Sequence, residues 1–148
     1  MTPRTEPGHP AEELSALIAR SRRRVWTLTA RRLEQVGESV HTWQVLKLLH
    51  KWGPLAQHDL AARSGQHPAG VSRMLEAMER NGLVRRKRDP RDRRKVRVEA
   101  SAAGLARLRR MQPQFAEAAE RAFERLSATE RRSLKGLLEK LLAGDPGP

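Results

Sequence analysis

The apolar positions in the first third of the chain follow the spacing of an α-helix. Between residues 11 and 36 they recur at steps of three, four and seven, and arginines fill most positions between them. This apolar stripe consists of Leu14, Leu17, Ile18, Val25, Leu28 and Leu33. A short, strongly apolar helix is predicted over residues 42–52, and Gly53-Pro54 ends it because proline cannot continue a helix. Residues 1–10 hold three prolines and few apolar side chains, which predicts a disordered arm.

The next pattern predicts two short helices joined by a tight turn. The first covers Gln57–Ser64 and ends at Gly65, and the second begins at Pro68. Proline suits the first position of a helix, because its missing N–H would have no partner there in any case. The apolar face of the second helix consists of Val71, Met74, Leu75 and Met78, and Asn81-Gly82 ends the helix. Two short helices joined by a turn that contains glycine form a helix-turn-helix.

Two short strands are predicted directly after the helix-turn-helix. They cover Leu83–Arg88 and Lys95–Glu99, and in the second strand Val96 and Val98 alternate with charged residues. The loop between them, residues 89–94, is almost wholly charged. A helix-turn-helix followed by a β-hairpin is a winged helix-turn-helix, which we place over residues 42–99.

The remainder of the chain is predicted to be helical. One helix covers residues 101–126, and Pro113 is expected to kink it. Ser127 and Glu130 form a capping box that opens a last helix ending at 142, with a tail over 143–148. One winged domain is too small to cover the apolar stripes at both chain ends. We therefore expect residues 11–36 and 101–142 to be dimerisation helices of a homodimer.

These elements predict a mainly α fold with a small β-hairpin wing. It is a winged helix-turn-helix flanked by N- and C-terminal dimerisation helices, in a single domain over residues 11–142. In such a dimer, two-fold symmetry places the second helices of the two helix-turn-helix motifs, the recognition helices, about 34 Å apart. This distance is one turn of DNA and suits a palindromic operator.

Composition and charge narrow the function. The 148 residues carry a net charge of +13, which favours a polyanionic partner. The chain has no cysteine, so disulfides, thiolate metal sites and thiol redox switches are excluded. No apolar run approaches the ~18 residues that span a membrane, and the N-terminus lacks the apolar region of a secretory signal. We expect a soluble cytoplasmic protein with no membrane partner.

The positive charge is concentrated in the predicted wing. Residues 85–97 hold nine basic residues against Asp89 and Asp92. Arginines at the tip of a wing can enter the minor groove, where the negative potential is deepest, and an adjacent carboxylate can orient them. The N-terminal residues of the second helix of the motif should lie near base edges in the major groove. The DNA-binding candidates are His67, Ala69, Gly70, Ser72, Arg73, Arg91, Arg93 and Arg94.

These motifs together resemble the MarR (multiple antibiotic resistance regulator) family of bacterial transcription factors over roughly residues 14–142. The most specific part is Asn81-Gly82-Leu83-Val84-Arg85-Arg86, followed by D-x-x-D-x-R at Asp89, Asp92 and Arg94 and by Ser101-Ala102-Ala103-Gly104. Leu60–Arg63 and Val71–Leu75 also fit the family pattern. The resemblance implies a homodimer that grips double-stranded DNA at a palindromic operator. It also implies a repressor that a small aromatic or phenolic ligand releases from DNA.

The resemblance also implies a ligand pocket between the dimer helices and the winged domain. Trp26, His41, Trp43 and Trp52 are candidate pocket residues, because aromatic walls suit an aromatic ligand. The alternative is that these side chains fill the core or remain solvated. The candidate ligands of a zinc-sensing subgroup are Glu38, His41, His50, His58 and His67, but no pair has compact ligand spacing. We expect no metal and no cofactor.

Three functions remain open at this stage. The first is a ligand-responsive dimeric repressor, and the second is a regulator without a small-molecule ligand. The third is a basic architectural protein that binds nucleic acid without sequence preference, which the net charge alone would allow. The chain has no phosphate-binding glycine loop, no H-E-x-x-H and no G-x-S-x-G motif, so we expect no enzyme activity.

Overall fold

The computed structural model of the protein describes residues 9–143, which fold into six helices and three strands. In chain order they are α1 (Pro10–Glu34), α2 (Val40–Trp52), β1 (Leu55–Ala56), α3 (Gln57–Ser64), α4 (Pro68–Arg80), β2 (Val84–Arg88), β3 (Val96–Ala100), α5 (Ala102–Ala122) and α6 (Ala128–Leu142). The predicted fold class, mainly α with a winged helix-turn-helix, is confirmed. None of the described helices is long and apolar enough to cross a membrane.

The N-terminal boundary differs slightly from the prediction. Residues 1–8 of the predicted disordered arm, and residues 144–148 of the predicted tail, lie outside the described part of the chain. Pro10 already belongs to α1, and His9 caps that helix by accepting a hydrogen bond from the N–H of Ala11 at Nδ1. A proline at the first helical position needs no partner for a missing N–H, so the helix begins one residue earlier than predicted.

The wing belongs to a three-stranded antiparallel sheet, with the order β1-β3-β2. Arg86 of β2 and Leu55 of β1 both pair with Val98 of β3, which therefore lies at the centre of the sheet and is fully buried. The two-stranded hairpin of the prediction was incomplete. A strand of two residues is too short to show an alternating pattern, so β1 left no periodic signal in the sequence.

The hydrophobic core lies between α2, the helix-turn-helix and the start of α5. It includes Leu46, Leu60, Leu75 and Val98, each fully buried. The face predicted for α4 is present: Val71, Leu75 and Met78 are buried, and Met74 is partly buried against the same core.

A close approach of α5 to the start of β2 fixes the position of the wing. The Ser101 N–H donates to the carbonyl of Leu83, and the Ser101 hydroxyl donates to the carbonyl of Gly82 and accepts from the N–H of Gly104. Gly104 is buried, and a Cβ atom there would lie 2.1 Å from the Leu83 oxygen. Only glycine allows this contact, because any larger residue would place its Cβ against the Leu83 carbonyl.

The turn between α5 and α6 begins earlier in the chain than predicted. We predicted one helix to residue 126, but α5 continues past Pro113 and ends at Ala122. Phe123 and Leu126 lie in the turn that follows, where the guanidinium of Arg131 donates to both of their carbonyl oxygens. The predicted capping box of Ser127 and Glu130 is present at the start of α6.

Candidate nucleic-acid interface

The N-terminus of α4 exposes small and polar residues. His67 caps the helix with Nδ1, which accepts a hydrogen bond from the Ala69 N–H at 3.2 Å. A ring nitrogen that accepts a hydrogen bond carries no proton, so Nε2 of this exposed side chain is the nitrogen that can donate to a partner. No atom lies within 4 Å of a Cβ built on Gly70, and Arg73 is exposed while Ser72 is half-buried. No bulky side chain therefore prevents this end of α4 from entering a groove of DNA.

Two aspartates shape the tip of the wing. Asp89 accepts a hydrogen bond from the Arg91 N–H at 2.9 Å, and Asp92 accepts one from the Arg94 N–H at 3.1 Å. Each contact links a side chain to the backbone two residues later, which is an Asx turn. The bond from Arg91 holds the pKa of Asp89 below its ordinary value, and the charge of Arg97 lowers that pKa further. The aspartates thus fold the loop so that its arginines point outward.

The predicted orienting role of Asp92 is also visible. The Arg94 Nε lies 3.3 Å from Asp92 Oδ1, yet the Arg94 side chain is 93% exposed. Arg91 and Arg93 are exposed as well. All three wing candidates are therefore accessible to a partner.

Some basic residues of the wing already have partners within the protein. Arg86 donates from its backbone N–H and from Nε to Glu79, at 2.9 Å each, and these bonds hold the pKa of Glu79 below its ordinary value. Lys87 pairs with Glu99 at 3.0 Å, and Arg97 pairs with Asp89. These three side chains stabilise the sheet and its attachment to α4. The exposed basic residues of 85–97 without a carboxylate within 4 Å in the described structure are Arg85, Arg88, Arg91, Arg93 and Lys95.

An open cleft joins the wing to both helices of the helix-turn-helix. It is lined by Gln57, His58, Pro68, Arg94, Lys95 and Val96. Gln57 and His58, at the start of α3, were not among the DNA-binding candidates predicted from the sequence. No side chain caps α3, so its first N–H groups add to the positive potential at this cleft. Ala56 at the cap position was the available signal, since a helix start without a capping side chain leaves donors for another partner.

The four candidate pocket residues do not all come together. Trp26 of α1 contacts His41 of α2, with ring centroids 5.4 Å apart. Trp43 is buried and stacks on Phe115 of α5 at 3.9 Å, and its indole Nε1 has no hydrogen-bond partner in the described structure. Trp52 lies at the other end of α2, half exposed beside the charged groups of Lys51 and Arg63. Nine residues of helix, about 13 Å, separate it from Trp43, so the single chain does not bring Trp52 beside the other three.

The acidic and histidine residues considered for zinc are dispersed. Glu38 accepts two hydrogen bonds from the Arg107 Nε, at 2.9 and 3.2 Å, which joins α5 to the loop between α1 and α2. His58 lies beside Asp59, and His67 caps α4. Among residues 9–143 no three His, Asp or Glu side chains gather as a metal site would require.

Comparison with known proteins places this geometry among DNA-binding regulators. A sequence model described as "MarR family" matches residues 39–96. An uncharacterized HTH-type transcriptional regulator of Bacillus subtilis, YkoM, is 30% identical over 130 residues, which are 88% of this chain and 84% of that protein. The homoprotocatechuate degradative operon repressor of Escherichia coli is 31% identical over 101 residues, 68% of each chain.

A solved structure shows the same fold over nearly the whole chain. BpsR of Bordetella bronchiseptica, whose structure concerns regulation of its DNA binding by 6-hydroxynicotinic acid, superposes with a TM-score of 0.74. It is 25% identical, and the match covers 95% of this chain and 100% of that one. The likeness includes the helices at both chain ends, which the family model does not cover.

Proposed function

Because the chain belongs to the MarR family, whose members are transcriptional regulators and not enzymes, we propose that it is a dimeric repressor of a palindromic operator, released by a small aromatic ligand. The observation that carries this proposal is the common cleft between wing and helix-turn-helix. There α3, α4 and the tip of the wing present Gln57, Pro68 and Arg94 to one open space.

The charge and shape of this surface suit a DNA duplex. In the proposed complex, Arg73 and the Nε2 of His67 meet the major groove, where a bidentate arginine–guanine contact is worth about 1–3 kcal/mol. Arg91, Arg93 and Arg94 meet the adjacent minor groove or its phosphates. The small residues Ala69 and Gly70 let the helix approach the bases closely.

Exposed leucines support the homodimer. Apolar side chains on the first half of α1 and on α6 are exposed in the single chain, and none of the described α6 residues is buried. They are Leu14, Leu17, Ile18, Leu137, Leu138, Leu141 and Leu142. An apolar surface of this extent at both chain ends favours a second copy of the chain, whose two-fold symmetry would match a palindrome.

The aromatic ligand is proposed to bind where α1, α2 and α5 meet. Trp26, His41, Trp43 and Phe115 lie at this junction. The buried Trp43 Nε1 without a partner is a donor that a ligand oxygen would satisfy, because unpaired buried polar groups are costly. The regulation of BpsR by 6-hydroxynicotinic acid, an aromatic acid, supports a ligand of this class.

A gel shift tests the proposal directly. The protein is incubated with the DNA upstream of its own gene, with excess random duplex as competitor. A discrete band that survives the competitor is the expected result, since specific binding exceeds non-specific binding by about 10³–10⁷. Equal displacement by any duplex, both here and in a genome-wide binding selection, would support the architectural function instead.

Two variants identify the residue that reads the sequence. Arg73→Ala is expected to weaken operator binding by about 1–3 kcal/mol and random-duplex binding much less. Arg80→Ala, on the same helix and also exposed, removes the same charge far from the N-terminus of α4 and serves as the matched control. Equal losses on operator and random DNA would reduce Arg73 to a phosphate contact.

Release by ligand is measured on the operator complex. Candidate aromatic acids and phenols are titrated while tryptophan fluorescence and DNA binding are recorded together. Trp43→Phe keeps an aromatic ring but removes the indole N–H, and is expected to weaken the ligand response while operator affinity is retained. A response unchanged in this variant would place the ligand elsewhere.

A further inference from the structure

A second basic surface lies on α1, apart from the wing. One open groove along this helix, of about 370 Å³, is lined by Arg20, Arg23, Arg24, Thr27, Leu28 and Arg31. All four arginines are exposed, and none has a carboxylate within 4 Å in the part of the chain that the structure describes. We call these six residues the α1 groove.

The α1 groove lies on the side of the helix that does not pack against the winged domain. Thr29 and Leu33 are buried and Trp26 is partly buried, and these residues define the packed side of α1. At 100° per residue, Arg20, Arg24 and Arg31 fall on the opposite side. They are therefore not required for the core of the single chain.

The spacing of these arginines makes them repel one another. Arg20 and Arg24 are four residues apart, and Arg20 and Arg23 are three apart, so their charges are neighbours on the helix surface and destabilise it. The neighbouring helix supplies a carboxylate to Arg32, which bonds Glu117 at 2.7 Å, but not to the groove. A bound polyanion would relieve this repulsion.

The shape of the groove favours a polymer over a small ligand. It is open and formed by a single helix, whereas small-molecule sites are concave and bury most of the ligand surface. Arg20 and Arg31 are separated by eleven residues, or about 16 Å of helix. A partner that fits must carry several negative charges along a comparable length, as a strand of DNA does.

We propose that the α1 groove is a second DNA-contact surface, which binds the phosphate backbone without reading sequence. It acts in addition to the cleft between wing and helix-turn-helix. Arginines suit this role because the guanidinium donates two parallel hydrogen bonds to a phosphate. The occupant is double-stranded DNA, which the groove holds by its phosphates whatever the sequence.

The test measures the salt dependence of binding to a random-sequence duplex. The α1 variant carries Arg20→Gln, Arg24→Gln and Arg31→Gln. The control variant carries Arg109→Gln, Arg110→Gln and Arg125→Gln, which remove the same charge from exposed positions with no ion pair in the described structure. Each phosphate contact contributes about 0.9 to the slope of log affinity against log salt, so the α1 variant is expected to lose up to about 2.7. The control variant is expected to keep the parent slope.

A variant of the wing separates the two surfaces. With Arg91→Gln, Arg93→Gln and Arg94→Gln in place, residual binding to random duplex should persist, and adding the α1 substitutions should weaken it further and lower its salt slope again by up to about 2.7. Because the probe carries no operator, a protein without sequence preference would fail the proposed function yet still pass this test. An unchanged slope in the α1 variant, or equal losses in the α1 and control variants, would overturn the proposal.

Two further measurements exclude a structural cause. Arg→Lys substitutions at the same three positions preserve the charge and should preserve the slope. In the unsubstituted protein, random duplex should protect these arginines from phenylglyoxal, with each site read by mass spectrometry. If phenylglyoxal failed to modify these arginines even without DNA, a second copy of the chain would cover the groove. That result would also overturn the proposal.

Discussion

Replacing Gly104 by alanine tests the contact that joins the wing to α5. The added Cβ would lie 2.1 Å from the Leu83 carbonyl oxygen and 3.0 Å from a methyl group of Leu46. The first distance must grow by at least about 1 Å, and the obstacle is backbone that already accepts a hydrogen bond from the Ser101 N–H. Overpacking of this kind costs about 1–3 kcal/mol, and sometimes more when backbone must move.

Gly70 provides a matched control for this substitution. Both glycines occupy the third position of their helix, Gly70 in α4 and Gly104 in α5. A Cβ on Gly70 meets no atom within 4 Å, so Gly70→Ala should leave folding stability unchanged or raise it by up to about 1 kcal/mol through helix propensity. The two variants therefore differ in the steric contact and not in the type of residue or position.

Thermal and urea unfolding at a fixed protein concentration measure the difference. A domain of this size loses roughly 2–4 °C of melting temperature for each kcal/mol, so Gly104→Ala should melt about 2–12 °C lower than the parent. The concentration must be held constant because the proposed dimer would add to the apparent stability. If both alanine variants had the same melting temperature, the close approach of α5 to Leu83 would not be the reason for glycine at this position.

Four other substitutions test the folding of the wing, its DNA contacts, its pH response and the proposed dimer. Arg86→Ala should lower the free energy of unfolding by about 1–3 kcal/mol, because it breaks charged hydrogen bonds to Glu79, whereas Arg85→Ala should weaken DNA binding and leave urea unfolding unchanged. Because the pKa of Asp89 is lowered in the folded protein, the ionised carboxylate stabilises the folded wing at any pH above the unfolded-state pKa of about 3.9. This contribution is lost as the pH falls through the lowered pKa of the folded state. Amide hydrogen exchange at the wing tip should therefore accelerate in acid, and Asp89→Asn should remove that pH dependence; an unchanged profile in the variant would contradict the role of Asp89. Leu141→Asp should dissociate the proposed dimer in sedimentation experiments. If the variant dimerised as tightly as the unsubstituted protein, α6 would not lie in the interface.

The fold was predictable wherever local signals agreed. Pro68, Gly65 and the capping box at Ser127 mark helix ends through backbone chemistry alone, and the structure places them as predicted. The end of α5 was not predictable from periodicity, because Phe123 continues the apolar stripe of the helix into the turn. Its true end depends on tertiary contacts of Arg131, which no local pattern encodes.

For the DNA-binding candidates too, contacts that form only through folding could not be predicted from the sequence. Charge counting showed that the wing is basic, but it did not indicate the Asx turns by which Asp89 and Asp92 fold the tip of the wing. Counting did not show that Arg86 and Arg97 are held by carboxylates of the same chain, since Glu79 becomes a neighbour of Arg86 only through folding. The start of α3 was missed for the converse reason, because its contribution comes from backbone N–H groups.

The junction of α1, α2 and α5 has the connections that regulation of the proposed kind requires. The core of the winged domain includes Leu108 and Met111 of α5, so α4, which is the recognition helix, and the start of α5 belong to one packed unit. The same helix continues to Phe115, which stacks on Trp43, and is tied to the loop before α2 through Arg107. Packed interiors transmit a displacement because they have few voids to absorb it. In the proposed regulation, a ligand that separated Phe115 from Trp43 would displace α5 from α2 and, through α5, would disturb the packing of the winged domain. In the proposed dimer, two α4 helices held one DNA turn apart would tolerate little change in spacing, so a small rotation at this junction would suffice to release the proposed operator.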